Sequence, residues 1–291
     1  MQTRAIRRAI ACGTLAAATW GLAPTVDAAR VAILSNSYAE ETAIDFSAKV
    51  PGHTFTAFNV NSSVPTLAAL TANFDVLLVF EDSTFPNATA VGNVAAAFAN
   101  SGRTVVLGTF YEQDRSDGAV AYTPHGWGAL ELIDPNTSDG TGTPYTPHAL
   151  DPASIVSPHP LTANVTTLTA ARFAGGNEAK PGTTVVANWV QKNARGHADP
   201  AIAYRVTGPA CVIHIATAPD YATVGTAGTD FGGDFYAVWE NAFDFGAANC
   251  VVGPDELPDA VAIPALGSGV LATVALALAA FGGLALMRRR S

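Results

Sequence analysis

Charge is scarce in this chain: Asp, Glu, Lys and Arg make up 13% of its 291 residues, and only Lys49, Lys180 and Lys192 are lysines. The balance is acidic, with a formal net charge of -9. Such a chain has no basic stripe with which to neutralise phosphates, which excludes nucleic acid as a partner. The loops of nucleotide and ester chemistry are missing too. There is no P-loop, no G-x-G-x-x-G after a strand, and no G-x-S-x-G elbow. The glycines of "VGTAGTDFGGDF" follow a strand pattern but match no phosphate-loop spacing. No cofactor is implied.

What is abundant is apolar surface, 49% of the residues, and much of it sits at the two ends. Arg4, Arg7 and Arg8 precede an apolar run over residues 9–23, and Val26-Asp27-Ala28 is a small-residue cleavage site. These three parts in this order read as a secretory signal peptide over residues 1–28, with the mature chain starting near Ala29. A buried N-terminal helix is the competing reading. At the other end, residues 266–287 carry no charge and Arg288, Arg289 and Arg290 follow directly. A helix of that length spans about 33 Å, enough to cross a bilayer. The arginines place that end in the cytoplasm and the body of the protein outside the inner membrane.

Cys12 leaves with the signal peptide, so Cys211 and Cys250 remain as an even pair in an oxidising compartment. A disulfide between them would close a loop of about 40 residues, worth about 3–4 kcal/mol. Two buried free thiols fit the same spacing.

Between the ends, strand and helix patterns alternate. "RVAILS", "HTFTAFNV", "DVLLVFED" and "TVVLGTF" read as strands, and "ETAIDFSAKV", "VPTLAALTANF" and "NATAVGNVAAAFANSG" as helices. This order predicts an α/β fold of three layers, a mostly parallel central sheet with helices on both faces. From residue 112 to 160 the pattern gives way to Gly, Pro, Thr, Ser and Asp, which predicts a long loop with a short helix at "GWGALELI". "TTVVANWVQ", "AIAYRV" and "ACVIHIATA" then read as strands, and "FGGDFYAVWENAFDFGA" sets Phe235, Val238, Trp239, Ala242 and Phe243 on one helical face. The reading is one domain over residues 29–250 and an acidic, proline-containing linker over 251–262. The sorting motif, membrane helix and Arg cluster follow over 263–291.

Two resemblances carry further. Ile263-Pro264-Ala265-Leu266, the membrane segment and the arginines together resemble the IPTL-type C-terminal sorting signals, relatives of the PEP-type tails processed by exosortases. Gly267-Ser268-Gly269 stands where that family continues with Trp-Gly. The resemblance implies a Gram-negative bacterium, a sorting protease of exosortase type, transient membrane anchoring, and then transfer to the cell surface or release. A permanent single-span anchor, carrying a periplasmic accessory subunit, is the alternative.

The core is similar to the class I glutamine amidotransferase-like domains, a flavodoxin-like α/β fold that ThuA-like relatives share. "VVLGTFYEQ" resembles their strand and nucleophile elbow, "SPHPLTANVTTL" their H-P-L-x-x-x-V segment, and "FYAVWENAFDFGA" their closing helix. At the position of the family's nucleophilic cysteine stands Phe110, and its following glycine is Glu112. A phenyl ring forms no thioester, and a glutamate lacks the freedom of the tight elbow. His214 is the nearest match to the family's general base, but Ile215 and Ala216 replace the H-P-E turn. The resemblance therefore implies the fold without amidotransferase chemistry.

In an open α/β sheet ligands bind at the carboxyl ends of the strands. Ser35, Asn36 and Ser37 follow the first strand, with Glu40 and Glu41 close by; Glu81 and Asp82 follow the third; Tyr111, Glu112, Gln113 and Asp114 follow the fourth. Asn36, Glu81, Asp82, Tyr111, Glu112 and Asp114 form the candidate ligand cleft. Converging carboxylates fit a carbohydrate or envelope-protein ligand, an ion, a divergent extracellular hydrolase using Glu81, Glu112 or Asp114, or simple solvated caps. "YTPH" occurs twice, so His125 and His148 could share a metal, although their spacing fits no zinc pattern. His159 and His214 read as structural. Trp127, Trp189 and Trp239 are candidates for stacking on sugars, Trp239 being also a core position.

Overall fold

The computed structural model describes residues 28–81, 85–109, 126–136, 143–174, 176–193 and 196–251. The first half alternates as its sequence predicts: β1 (Arg30–Ser35), α1 (Ala39–Lys49), β2 (Thr54–Asn59), α2 (Leu67–Asn73), β3 (Val76–Val79), α3 (Ala88–Asn100) and β4 (Thr104–Gly108). Local chemistry sets the boundaries. Thr66 caps α2 by accepting the Ala69 N–H at 3.2 Å. Past the end of α3, Gly102 takes a φ of 83°, a conformation that only glycine adopts freely.

The second half contains α4 (Trp127–Leu130), β5 (Ile133–Asn136), β6 (Thr143–Ala149), β7 (Leu168–Ala174), β8 (Gly176–Ala179), β9 (Thr184–Lys192), β10 (Ala198–Thr207), β11 (Ala210–Ile215), α5 (Tyr221–Val224), β12 (Phe231–Gly233) and α6 (Phe235–Ala247). The long loop expected over residues 112–160 is corrected in part. The short helix expected at "GWGALELI" is present as α4, but the segment also holds β5, β6 and a 3-10 turn at Pro152–Ser154, while residues 110–125 and 137–142 lie outside the described residues. β6 pairs with β7, and β5 with β8, so backbone pairing from elsewhere in the chain stabilises segments with little strand propensity of their own.

The main sheet has seven strands in the order β2-β1-β3-β4-β11-β10-β9. The first five run parallel, and β10 and β9 join antiparallel at one side. It is a mixed α/β fold with a mostly parallel central sheet. Alternation along each central strand separates two cores. Val31, Ile33, Val76, Leu78, Val106 and Ile213 pack with Phe46 of α1 and Trp239 and Phe243 of α6. Ala32, Leu34, Leu77, Val79, Val105 and Leu107 pack with Leu70 of α2 and Val91, Ala95 and Phe98 of α3. The predicted apolar face of α6 is buried at all five positions, and each large side chain there contributes about 1.5–3 kcal/mol.

Cys211 at the start of β11 and Cys250 just past α6 form a disulfide, with 6.0 Å between their Cα atoms. The bridge ties the end of α6 to the centre of the sheet.

Candidate functional site

Register places the site. β1, β3, β4 and β11 are neighbours, and one row across them aligns Leu34, Val79, Leu107 and His214. Asn36, Glu81 and Thr109 each lie two residues beyond their member of that row. They are therefore brought side by side at the carboxyl edge of the sheet, and all three are buried. β10 runs antiparallel to β11, so its start lies at the same edge, and it brings Asp199, also buried. Thr217 and Asp220, just past β11, complete a collar of buried polar groups. An apolar core does not need such groups. A polar edge at this position is where α/β sheets bind ligands.

The hydrogen bonds within the collar are specific. The Glu81 carboxylate accepts the Phe85 N–H at 3.2 Å, which ties the end of β3 to the residues just before α3. The Thr109 N–H donates to the Thr217 carbonyl at 2.9 Å, stitching the ends of β4 and β11 together. The Thr109 hydroxyl lies 3.3 Å from Nε2 of His214. Ser35 folds back on its own turn, donating to the Ser37 carbonyl at 2.7 Å. The Asn36 carbonyl accepts from the Asn61 side chain, which fixes the loop after β2 against the end of β1.

Of the predicted cleft residues, Asn36 and Glu81 reach this edge. Asp82, Tyr111, Glu112 and Asp114 lie outside the described residues, as do Phe110, Gln113 and His125. Glu40 and Glu41 occupy the first turn of α1 and are exposed, where they complement the helix dipole. Thr109, Thr217, Asp199 and Asp220 were not legible as site residues. For Thr109 the signal is its place directly after the strand-ending Gly108.

Trp127, Trp189 and Trp239 are all buried, so none offers a ring face for a sugar. Trp127 stacks on Phe85 with ring centroids 5.8 Å apart and donates its indole N–H to the Ala88 carbonyl. It therefore belongs to the α3–α4 contact. His148 is buried against Trp189, and among the described residues no cluster of His, Cys, Asp and Glu is arranged to hold a metal ion. His159 accepts the Leu161 N–H through Nδ1 and packs on Tyr204 and Phe245, a structural role. Cys211 is in the disulfide and offers no thiol.

The tail residues Ile263, Pro264, Leu266, Arg288, Arg289 and Arg290 lie outside the described residues, and so does the apolar stretch 266–287. Among the described residues no helix is long and apolar enough to cross a membrane.

No family model and no curated protein matches the chain. Comparison with solved structures finds partial likenesses. A ThuA-like protein of Parabacteroides merdae is 11% identical at a TM-score of 0.49, over 80% of this chain and 94% of that one. The carbohydrate deacetylase Agd3 is 11% identical at 0.43, over 76% of this chain and 33% of that one. A β-galactosidase of Bacillus circulans sp. alkalophilus is 12% identical at 0.40, over 67% of this chain and 29% of that one. This chain thus spans about a third of the length of the two larger proteins.

Proposed function

We propose that this chain is an exported protein of the bacterial envelope whose α/β domain binds a ligand and performs no chemistry on it. The observation that carries the reading is the row of Asn36, Glu81 and Thr109 at the carboxyl edge, in a chain with Phe110 where an amidotransferase has its nucleophile. Amide, carboxylate and hydroxyl groups side by side supply donors and acceptors, and none of the three is a cation. That chemistry suits a neutral, hydroxyl-rich ligand such as an extracellular saccharide.

The finer parts of the reading rest on sequence. The domain is taken as a three-layer sandwich of the amidotransferase-like kind, degenerate at its elbow. The tail is taken as an IPTL-type sorting signal with a membrane helix, recognised through Ile263, Pro264 and Leu266 and removed by a protease of exosortase type. The Cys211–Cys250 bridge supports export, because structural disulfides persist in oxidising compartments.

One observation favours a second reading, a divergent hydrolase. Thr109 and His214 put a hydroxyl and an imidazole 3.3 Å apart, the arrangement of a nucleophile and its base. Isothermal calorimetry against a panel of neutral oligosaccharides, with product analysis of the same mixtures, separates the two. The binding reading expects saturable heat without turnover, and affinity weakened about tenfold or more by Asn36→Ala. Turnover that disappears in Thr109→Val or Glu112→Gln, with the fold intact, would replace it with the hydrolase.

A further inference from the structure

His53 stands outside the strand-edge site and is built as a receptor for a nitrogen. Its side chain is 3% exposed, and its ring lies edge-on to Phe55 and Phe243 at 6.3 and 5.7 Å. Those two contacts fix the plane of the imidazole. Nδ1 accepts the N–H of Ala29 at 3.2 Å, and Nε2 faces the Asp244 carboxylate at 3.4 Å. With Nδ1 accepting, the ring proton is on Nε2 and points at Asp244. The nitrogen of Ala29 is held there independently of His53. The Ala29 carbonyl accepts the Thr54 N–H at 3.0 Å, and the Arg30 N–H donates to Asp75 at 3.0 Å. Ala29 itself is 1% exposed, whereas Ala28 before it is exposed.

This nitrogen is the one that removal of the signal peptide converts from an amide into a primary amine. Val26-Asp27-Ala28 places the scissile bond between Ala28 and Ala29. We propose that His53 and Asp244 form a preformed site for the α-ammonium of the mature N-terminus at Ala29. The inference rests on the export reading. Hydrolysis of the bond by the processing peptidase leaves the carboxyl on Ala28 and a protonated amine on Ala29. A neutral hydrogen bond to Nδ1 then becomes a charge-assisted one. Asp244, 44% exposed, supplies the balancing negative charge through the ring. Capture of a free N-terminal amine is a recurring mode of recognition.

The site also orders events. In the folded protein the N–H of Ala29 is engaged and its side chain is packed, so the peptidase acts before β1 docks. Cleavage one residue later, at Arg30, removes the nitrogen that His53 accepts from and leaves the imidazole facing solvent.

The test uses full-length mature protein isolated from its host, its first residue read by peptide mass spectrometry. The folded protein is then pulsed with an amine-acylating reagent at neutral pH, and modification of the α-amine is timed against the same protein in urea. The expected result is a chain beginning at Ala29 whose amine reacts about tenfold or more slowly when folded. A variant chain that keeps Ala28 as its first residue moves the amine out by about 3.8 Å and is expected to react at the unfolded rate. Asp244→Asn, a change at the partly exposed end of the pair, is expected to speed the reaction of Ala29. If the chain begins at Ala29 but its amine reacts equally fast folded and unfolded, or if the chain begins at Arg30, the site is overturned and export stands. A chain still beginning at Met1 overturns both.

Discussion

Thr109 and His214 join the end of β4 to β11 through a hydroxyl–imidazole contact of 3.3 Å, with the two residues 7% and 1% exposed. A contact so enclosed acts first as an internal tie. Thr109→Val keeps the shape and removes the hydroxyl, and is expected to cost about 1 kcal/mol in urea unfolding. If the strand-edge site binds a ligand, affinity also falls in this variant, and circular dichroism stays that of the parent.

The Cys211–Cys250 bridge spans 39 residues of sequence and includes α6 in its loop. Opening it frees the denatured chain more than the native one. The double variant Cys211→Ser, Cys250→Ser is expected to lose about 3–4 kcal/mol. Dithiothreitol should lower the unfolding midpoint of the parent and leave that of the double variant unmoved.

Asp234 precedes α6 but turns away from it. Its carboxylate accepts the N–H groups of Thr166 and Thr167, both at 2.8 Å, and a hydroxyl proton from Thr166. Those backbone bonds hold its pKa below the ordinary 3.8; burial opposes them, and the threonine hydroxyls add a smaller lowering. A carboxylate with a lowered native pKa stabilises the fold above its unfolded value, and the contribution is lost as pH falls through the native one. Asp234→Asn is expected to cost about 1 kcal/mol at pH 7, after allowance for its partial exposure. The difference from the parent should vanish in unfolding curves taken well below pH 3.8.

Tyr236 of α6 donates its hydroxyl to Asp45 of α1 at 3.2 Å, crossing the face that the two helices share. Burial, and then that hydrogen bond, push its pKa up to about 12. The neutral phenol is the favoured form, so its contribution is complete below the ordinary 10.0 and lost as pH rises through about 12. Alkaline titration of tyrosine absorbance should show a late-ionising group that Tyr236→Phe removes.

The first four strands and three helices were legible because apolar period alone distinguishes them, and β1 and β3 are buried nearly end to end. β5, β6 and β8 carry no strand signal of their own, because Pro135, Asn136, Pro144 and Asn177 argue against strand locally; the pairing partners override them. The same division runs through the site. Asn36 and Glu81 could be named from their places after strands, since strand ends are polar for a reason. His53 could not, because its partners Ala29 and Asp244 lie 24 and 191 residues away and meet it only in the fold. The tryptophans misled for the opposite reason: an indole serves a core as well as a sugar, and only packing decides.

Export followed by sorting at the envelope leaves a mark on the length of the chain. Its most direct test is the intact mass of the protein from its native host, taken separately from membranes and from culture medium. The expected result is a surface or medium form that ends near residues 263–266, without the apolar stretch and the arginines. A mass running through Ser291, found in the membrane fraction alone, would contradict it and point to a permanent anchor.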